Sequence, residues 1–481
     1  MSSSSNNSDN NDNNNSSSNT SEDIQPTTVT SPNKKQENED EGEEPISGLI
    51  KSDQLDDYNT RLVVMQSDPN SPLYSAKTFE DLKLKPEILK GVYGIGFNKP
   101  SKIQEAALPY IIDLKQNLIA QSQSGTGKTA AFSLGMLNTV DPSIPLPQAI
   151  CVCPTQELAI QIHGVVCTLG KFSSIKPLLY NNNNNNNSNN NIMYVYTLVK
   201  KIENQVIVGT PGKLLDLMSK RILPTQKVAM MVLDEADQMI DKRGMNDQSM
   251  KIKMFLPKSV QVLLFSATFS LGVEQYIKEF VPQPNISIRL KKEELSVDKI
   301  KQFYIDCNTP ENKPLVLSDI YSYISIGQSI VFVHTKKTAS QLATKMRAEG
   351  FSVSSITGDD SADLRMEQIK LFREGKTKLL IATNILARGI DVLQVSLVIN
   401  YDVPLDVEGR PDPVTYLHRI GRVGRFGRSG VAINFVKDQH DLNKILNISK
   451  HLNREIKELK RSDIESLDAI LRGLKDLTPL S

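Results

Sequence analysis

Residues 117–137 read NLIAQSQSGTGKTAAFSLGML, and this stretch decides the fold class. It begins with the short apolar run Asn117–Gln121, passes through a loop containing Gly125 and Gly127, and ends in the helix-like segment Ala130–Leu137. Glycines let backbone N–H groups turn inward around an anion, and the N-terminus of a following helix adds positive partial charge. The order strand, glycine loop, helix therefore predicts an α/β domain with an anion-binding loop at a strand end.

Similar apolar runs recur along the chain, separated by helix-like stretches such as Lys337–Ala348 and Arg365–Arg373. They are continuous rather than alternating, which indicates parallel strands covered on both faces. The other predicted strands of a first series are Ala149–Cys153, Gln205–Gly209, Ala229–Asp234 and Gln261–Ser266. Those of a second series are Lys301–Asp306, Ser329–His334, Ser352–Ile356, Lys378–Thr383, Leu397–Tyr401 and Val431–Phe435. We expect an α/β fold of two tandem doubly wound parallel-sheet domains with a cleft between them.

Composition divides the chain into a polar leader and two domains. Residues 1–46 are rich in Ser, Asn and acidic side chains, which predicts a disordered tail. Residues 47–78 form a flanking segment before the first domain. Residues 79–292 are the predicted first domain and 297–481 the second. The Asn-rich run 181–191 is interpreted as a solvated insertion in the first domain.

Charge is unevenly distributed along the sequence. Residues 1–60 carry a formal charge of −10, which leaves +11 for the rest of a chain whose formal net charge is +1. A basic body is typical of proteins that bind polyanions, although ordinary surface charge gives the same count. No run approaches the roughly 18 apolar residues of a membrane helix, so membrane insertion is not expected. Four cysteines in 481 residues do not form a disulfide framework.

The loop and a later acidic run have the chemistry of a nucleoside triphosphate site. Lys128 would meet the β and γ phosphates, and Thr129 and Asp234 would hold Mg²⁺. Asp234 and Glu235 follow an apolar run, so they would lie at the carboxyl end of a central strand with Glu235 orienting the attacking water. An acidic helix cap is the alternative for this pair. The predicted ATP-binding loop comprises Ser122, Gln123, Ser124, Gly125, Thr126, Gly127, Lys128 and Thr129.

Residues 418–425 read HRIGRVGR and lie in the second predicted domain. Arg422 and Arg425 are three residues apart, so they can share one helical face and stabilise the charge of a leaving phosphoryl group. A surface patch for RNA is the alternative for these arginines. Gly389 and Asp391 are candidates for the ribose side of the nucleotide site.

Together these motifs resemble those of the DEAD-box RNA helicases from Phe79 to Phe435. The resemblance implies RecA-like domains and an RNA-stimulated ATPase that locally unwinds RNA or remodels RNPs. It implies that Phe97 stacks on adenine and that Gln104 hydrogen-bonds the edge of the base. The residues implied to couple hydrolysis to RNA binding are Ser266, Thr268, Asp237 and His418. Those implied to bind RNA are Pro154, Thr155, Thr210, Gly212, His334, Gly358, Arg365 and Thr383.

Within that family the chain resembles the mRNA-export branch, which acts at the cytoplasmic face of the nuclear pore. Asp68–Tyr74, the Thr383-Asn384 pair in place of Thr-Asp, and the long loop Asp406–Pro413 carry this likeness. It implies single-stranded RNA and mRNPs as partners, with a nuclear-pore filament protein and an inositol-hexakisphosphate-dependent activator. It also implies a monomer in cytoplasm and nucleus, enriched at the pore. A short acidic helix that restrains ATPase activity is implied as well, and Glu43–Leu55 is the candidate regulatory helix, with a disordered leader as the alternative.

The sequence departs from the family pattern at several positions. Gln156 replaces an arginine, Leu364 replaces a glutamine and Val423 replaces a threonine. The Asn-rich run replaces a glycine-containing turn that contacts RNA, which predicts weaker RNA binding by the first domain. Two alternatives therefore stay open: a slow-hydrolysing ATP-dependent RNA clamp or scaffold, and a DNA-directed motor on the same core.

Overall fold

A computed structural model describes residues 62–66, 76–122, 126–180, 202–241, 244–290, 300–323, 327–384, 395–406, 408–423 and 430–475. The predicted tail, the candidate regulatory helix and the Asn-rich run lie outside these ranges. None of the helices within them combines the length and apolar character needed to cross a bilayer.

The described residues of the first half form an eight-stranded sheet. Its strands are β1 Leu62–Gln66, β2 Asn117–Gln121, β3 Ala149–Val152, β4 Pro177–Tyr180, β5 Val206–Gly209, β6 Met230–Leu233, β7 Gln261–Ser266 and β8 Asn285–Leu290. Their spatial order is β1-β8-β2-β7-β6-β3-β5-β4. Strand β1 pairs antiparallel with β8, and the other pairs are parallel.

Helices cover both faces of this sheet. Side chains alternate along each strand, and because both sets are apolar, each face is buried under helices. On β7, Leu263 and Phe265 belong to one buried apolar cluster, whereas Val262 and Leu264 belong to another. We call this sheet with its helices the first lobe. Its helices are α1 Pro86–Gly94, α2 Lys102–Leu108, α3 Lys128–Thr139, α4 Gln156–Leu169, α5 Pro211–Ser219, α6 Ala236–Asp241, α7 Met245–Met254 and α8 Leu271–Phe280.

A second, all-parallel sheet forms what we call the second lobe. Its strands are β9 Ile300–Asp306, β10 Gln328–Phe332, β11 Val353–Ile356, β12 Leu379–Ala382, β13 Val395–Asn400, β14 Gly430–Val436 and β15 Lys457–Glu458. The spatial order is β11-β12-β10-β13-β14-β9-β15. Its helices are α9 Lys313–Tyr323, α10 Lys336–Ala348, α11 Ala362–Arg373, α12 Pro413–Ile420, α13 Gln439–Leu452 and α14 Ser466–Lys475. Apolar clusters again lie on both faces.

The prediction of two doubly wound parallel sheets is confirmed, and every predicted strand is present within one or two residues at each end. Strands β1, β4, β8 and β15 were not predicted from the sequence. Strand β8 alternates polar and apolar residues, β4 is four residues long, and β15 is the exposed pair Lys457–Glu458. These strands lie at or next to sheet edges, where a long, continuous apolar run is not required.

Candidate functional site

The order of strands in the first lobe arranges the predicted site along one edge. Strands β2, β7, β6, β3 and β5 are neighbours in that order. The phosphate loop follows β2, Ser266 ends β7, and Asp234 follows β6. Cys153-Pro154 follows β3, and Thr210 follows β5. Carboxyl ends of parallel strands meet at one edge of a sheet. The acidic pair therefore lies between the phosphate loop and the predicted RNA residues.

Hydrogen bonds made by its own side chains connect the two ends of the phosphate loop. Lys128 is buried at the start of α3, and its ammonium group donates a hydrogen bond to the Ser122 carbonyl. The Ser122 and Thr126 hydroxyls are 2.5 Å apart, so serine at the usual glycine position bridges the loop. Gly127 has φ 94°, the left-handed conformation that favours glycine. The predicted loop residues Gln123, Ser124 and Gly125 lie outside the described residues.

Gln104 contacts the phosphate loop directly. Its Nε2 donates to the Gly127 carbonyl at 3.1 Å, and its Oε1 accepts from the Ser101 backbone at 2.9 Å. Phe97 is 4% exposed and lies in the apolar core, with its ring centroid 6.4 Å from that of Phe79. The structure thus places Gln104 at the loop and Phe97 in the core, and their roles toward adenine stay predictions.

Both residues of the acidic pair are buried, and the backbone of Glu235 is strained. Glu235 has φ 52°, which is unfavourable for a residue with a side chain and is typical of functional sites. Its Oε2 has no hydrogen-bond partner within the described part of the chain. Burial, and then the charge of Glu235, raise the pKa of Asp234 to about 7, against the opposing charge of Lys128. A divalent cation would relieve this repulsion, and carboxylate oxygens are the ligands Mg²⁺ prefers, so the pair fits Mg²⁺.

The four predicted coupling residues meet in one network that spans the two lobes. Asp237 Oδ2 accepts hydrogen bonds from the Thr268 hydroxyl at 2.7 Å and the Thr268 backbone at 3.3 Å. The Ser266 hydroxyl donates to the Thr268 carbonyl at 2.9 Å. His418, from α12 of the second lobe, brings Nε2 within 3.2 Å of the same Asp237 oxygen. Glu235, Asp237 and His418 could also group around a cation, but the Asp237 oxygen is already engaged by Thr268.

Arg422 lies one helical turn beyond His418 and is 3% exposed. Its Nε donates to the His418 carbonyl at 3.2 Å, which fixes it beside the contact between the lobes. Arg425, Gly389 and Asp391 lie outside the described residues, so their roles stay predictions.

The predicted RNA residues occupy adjacent strand ends in each lobe. In the first lobe, Pro154 and Thr155 follow β3 while Thr210 and Gly212 follow β5, and these two strands pair. The Thr155 hydroxyl caps α4 by accepting from a backbone N–H at 3.3 Å. The four residues therefore lie at the carboxyl-terminal edge of the first sheet, on the side of β3 and β5.

In the second lobe, the corresponding residues follow three neighbouring strands. Gly358 comes after β11, Thr383 after β12 and His334 after β10. Gly358 and His334 are exposed, whereas Thr383 is buried. Because these strands are neighbours, the three residues lie at the same edge of the second sheet.

Arg365 behaves differently from the other predicted RNA residues. Its Nε donates to Glu157 Oε1 of the first lobe at 2.6 Å, and its Nη1 donates to the Asp360 carbonyl at 2.7 Å. The Arg365 and Glu157 side chains are 12% and 5% exposed. In this structure Arg365 forms an ion pair between the lobes, and its role toward RNA stays a prediction. The pairing of Glu157 was not predicted, because an acidic residue in the first turn of a helix is ordinary and does not indicate a distant partner.

Comparison with known proteins agrees with this geometry. Two family descriptions match the chain: DEAD/DEAH box helicase at residues 101–276 and Helicase conserved C-terminal domain at residues 312–427. The Dictyostelium discoideum ATP-dependent RNA helicase ddx19 is 57% identical over 433 residues, which cover 90% of each chain. The chain belongs to the DEAD-box RNA helicases. Human ATP-dependent RNA helicase DDX19A is 46% identical to this helicase, over 93% of this chain and 92% of its own.

Solved structures place the helicase in the same group. The structure of S. cerevisiae Dbp5 bound to RNA and ADP BeF3 is 47% identical and aligns with a TM-score of 0.76, covering 83% of this chain and all of that one. The two lobes are therefore tandem RecA-like domains, and the enzyme is an ATP-dependent RNA helicase.

Proposed function

We propose that this helicase uses ATP hydrolysis at Asp234 and Glu235, with Mg²⁺, to open and close its lobes around single-stranded RNA. The observation that carries the proposal is the contact between His418 and Asp237, because it joins the second lobe to the hydrolytic edge of the first at 3.2 Å. A change in lobe position would therefore alter the hydrogen bond between His418 and Asp237, which lies two residues after Glu235.

Each residue of the hydrolytic edge has a distinct task in this proposal. Glu235, with its unpartnered oxygen, orients and deprotonates the attacking water. Lys128 binds the phosphates, while Arg422 and Arg425 stabilise charge on the leaving group. Thr129 and Asp234 hold Mg²⁺, which when bound neutralises phosphate charge.

RNA recognition is proposed to use the strand-end residues of both lobes. Contacts to backbone phosphates and 2′-hydroxyls favour RNA over DNA with little sequence reading. Closure would bend the bound strand, which is incompatible with a regular duplex, so local unwinding or RNP remodelling follows. ATP and RNA favour the closed form because they bind it more tightly.

The deciding experiment measures ATP turnover with and without single-stranded RNA, and with a DNA strand of the same sequence. We expect stimulation by RNA and little by DNA. Equal rates with and without RNA would reject the coupling, and tighter DNA binding would favour a DNA-directed motor. RNA that stays bound while ATP turns over only very slowly would favour the clamp.

We also propose a role in mRNA export at the nuclear pore, with residence in cytoplasm and nucleus. S. cerevisiae Dbp5 has been solved bound to nup159, gle1, ip6 and adp, at 45% identity to this chain and a TM-score of 0.58. A nuclear-pore filament protein and an activator dependent on inositol hexakisphosphate are the corresponding partners proposed here. Imaging of the tagged helicase should show a stained nuclear rim, and uniformly diffuse label would count against this role.

A further inference from the structure

The second lobe contains a fully buried arginine that the proposed reaction does not use. Arg419 on α12 is 0% exposed and is one of the largest fully buried side chains of the described residues. Its Nη1 donates to Asn400 Oδ1 at 2.9 Å and to the Asp402 carbonyl at 2.8 Å. Its Nε donates to Asn384 Oδ1 at 3.1 Å, and Nη2 binds the same oxygen. The guanidinium also lies over the Phe332 ring, 5.0 Å from the centroid.

The acceptors around Arg419 are neutral oxygens. The carboxylate of Asp402 is engaged elsewhere, by the Lys313 ammonium at 3.1 Å and the His334 backbone N–H at 2.8 Å. Burial lowers the pKa of Arg419 to about 9, and the charges of Asp402 and Asp412 only partly oppose this effect. A buried charge held in this way contributes little net stability, since an apolar side chain of similar volume often serves as well. We therefore infer that the buried Arg419 guanidinium has a role other than stabilising the fold.

Arg419 joins the two functional regions of the lobe. On one side, Asn384 is exposed and directly follows Thr383, while Asp402 binds the backbone of His334. On the other side, Arg419 lies on α12 between His418 and Arg422. A displacement of the strand ends would therefore pull on the guanidinium and turn the helix that carries the contact to the first lobe.

We propose that Arg419 is a positioning residue that transmits RNA occupancy at Thr383 and His334, through Asn384 and Asp402, to the placement of His418 and Arg422. The proposal rests on the RNA-coupled ATPase described above and names the route of that coupling. Asn384 stands where the family pair has an aspartate, so in this chain an amide oxygen rather than a carboxylate holds the guanidinium. The link here is a set of directional hydrogen bonds, not a full ion pair.

Three variants of the full-length helicase test the route. Arg419→Lys keeps the positive charge but cannot reach three separate acceptors, and Asn384→Ala removes one acceptor. Asn384→Asp restores an oxygen at the same place. Arg347→Lys is the matched control, because Arg347 donates through Nε and Nη2 to one carbonyl, that of Val353, within the same lobe.

The readouts are ATP turnover with and without single-stranded RNA, RNA affinity with a non-hydrolysable ATP analogue, and thermal unfolding. For Arg419→Lys and Asn384→Ala we expect RNA stimulation to fall about tenfold, the scale of one charge-assisted hydrogen bond. Basal turnover and RNA affinity should be retained. Asn384→Asp should recover the stimulation, and Arg347→Lys should behave as wild type.

Other outcomes overturn the inference. Basal and stimulated rates that fall together with the unfolding temperature would show a purely structural role. Lost RNA affinity would show a direct RNA contact, and equal behaviour of Asn384→Ala and Asn384→Asp would show that the acceptor does not matter. Absence of RNA stimulation in the wild type would instead reject the proposed function itself, before any variant is considered.

Discussion

Glu235 combines a strained backbone with a buried oxygen that has no hydrogen-bond partner among the described residues. A positive φ and a buried carboxylate oxygen without a partner are both unfavourable, and such features persist where the surrounding structure holds them for a function. Glu235→Gln keeps the shape of the side chain and removes its basicity. We expect turnover to fall by at least about 100-fold, the range for loss of a general base. Single-turnover ATP hydrolysis measures this loss.

RNA binding provides the second readout for that variant. With ATP present, Glu235→Gln should hold RNA longer than wild type, because the closed state is no longer released by hydrolysis. Glu279→Gln is the control, since Glu279 is exposed on α8 of the same lobe and belongs to no site described above. Unchanged turnover in Glu235→Gln would remove Glu235 from the reaction.

A glycine is required at position 127 because φ is positive there and because neighbouring side chains leave no room for a Cβ. A Cβ there would lie 2.7 Å from Gln104 Nε2 and 2.9 Å from Ser101 Oγ. Gly127→Ala should therefore displace Gln104 and weaken ATP binding, which a fluorescent ATP analogue would measure. Gly350 has a similar φ of 91° with nothing within 4 Å, so Gly350→Ala incurs only the left-handed conformational cost of about 1–2 kcal/mol. Equal ATP affinity in the two variants would contradict the steric argument.

At the scale of elements, two helices meet across the lobes through one ion pair. Arg365 on α11 and Glu157 on α4 are both largely buried, so loss of either side chain leaves a charge without its partner. The pair can form only when these two helices approach. We therefore interpret it as a contact that favours the closed arrangement.

A charge reversal tests this pair against the RNA-binding role that the family resemblance implied for Arg365. Arg365→Glu and Glu157→Arg should each lower RNA-stimulated turnover by about tenfold or more, because each leaves like charges facing one another. The double variant should recover much of the activity, and Asp216→Asn, which breaks the exposed pair with Lys220, should change little. No recovery in the double variant would favour a direct phosphate contact by Arg365.

At the scale of the whole molecule, the opposite formal charges of residues 1–60 and of the rest of the chain predict an effect on RNA binding. Residues 1–60 carry −10 and the remainder +11, so we expect residues 1–60 to oppose the electrostatic attraction between RNA and the rest of the chain. Removing residues 1–60 should raise RNA affinity at low salt. The gain should shrink as salt rises, because the Debye length falls from about 10 Å at 0.1 M to about 3 Å at 1 M.

RNA titrations over a range of salt concentrations measure this effect. The control is the full-length chain with every Asp and Glu of residues 1–60 replaced by Asn and Gln, which keeps the length and removes the charge. Both variants should behave alike if charge alone acts. A gain seen only on deletion, and persisting at high salt, would instead indicate a regulatory contact by the candidate helix.

Most of the first-lobe site could be predicted because its residues follow local rules. Asp234 comes directly after an apolar strand, and Lys128 follows another apolar strand across a short glycine-containing loop. A parallel sheet brings such strand ends together. Arg365 could not be placed in this way, since its partner Glu157 lies 208 positions earlier in the chain. Arg419 was quoted within a motif but given no task, because burial is not visible in the motif itself.

The sequence alone determined the two doubly wound sheets, the phosphate loop and the acidic strand end, because each depends on periodicity or on neighbours a few residues apart. Only the tertiary structure decided which second-lobe side chains reach the first lobe, and that Phe97 lies in the core. It also decided that Arg419 is surrounded by neutral oxygens. Such contacts join residues far apart in the chain, and their geometry follows from how whole sheets and helices pack.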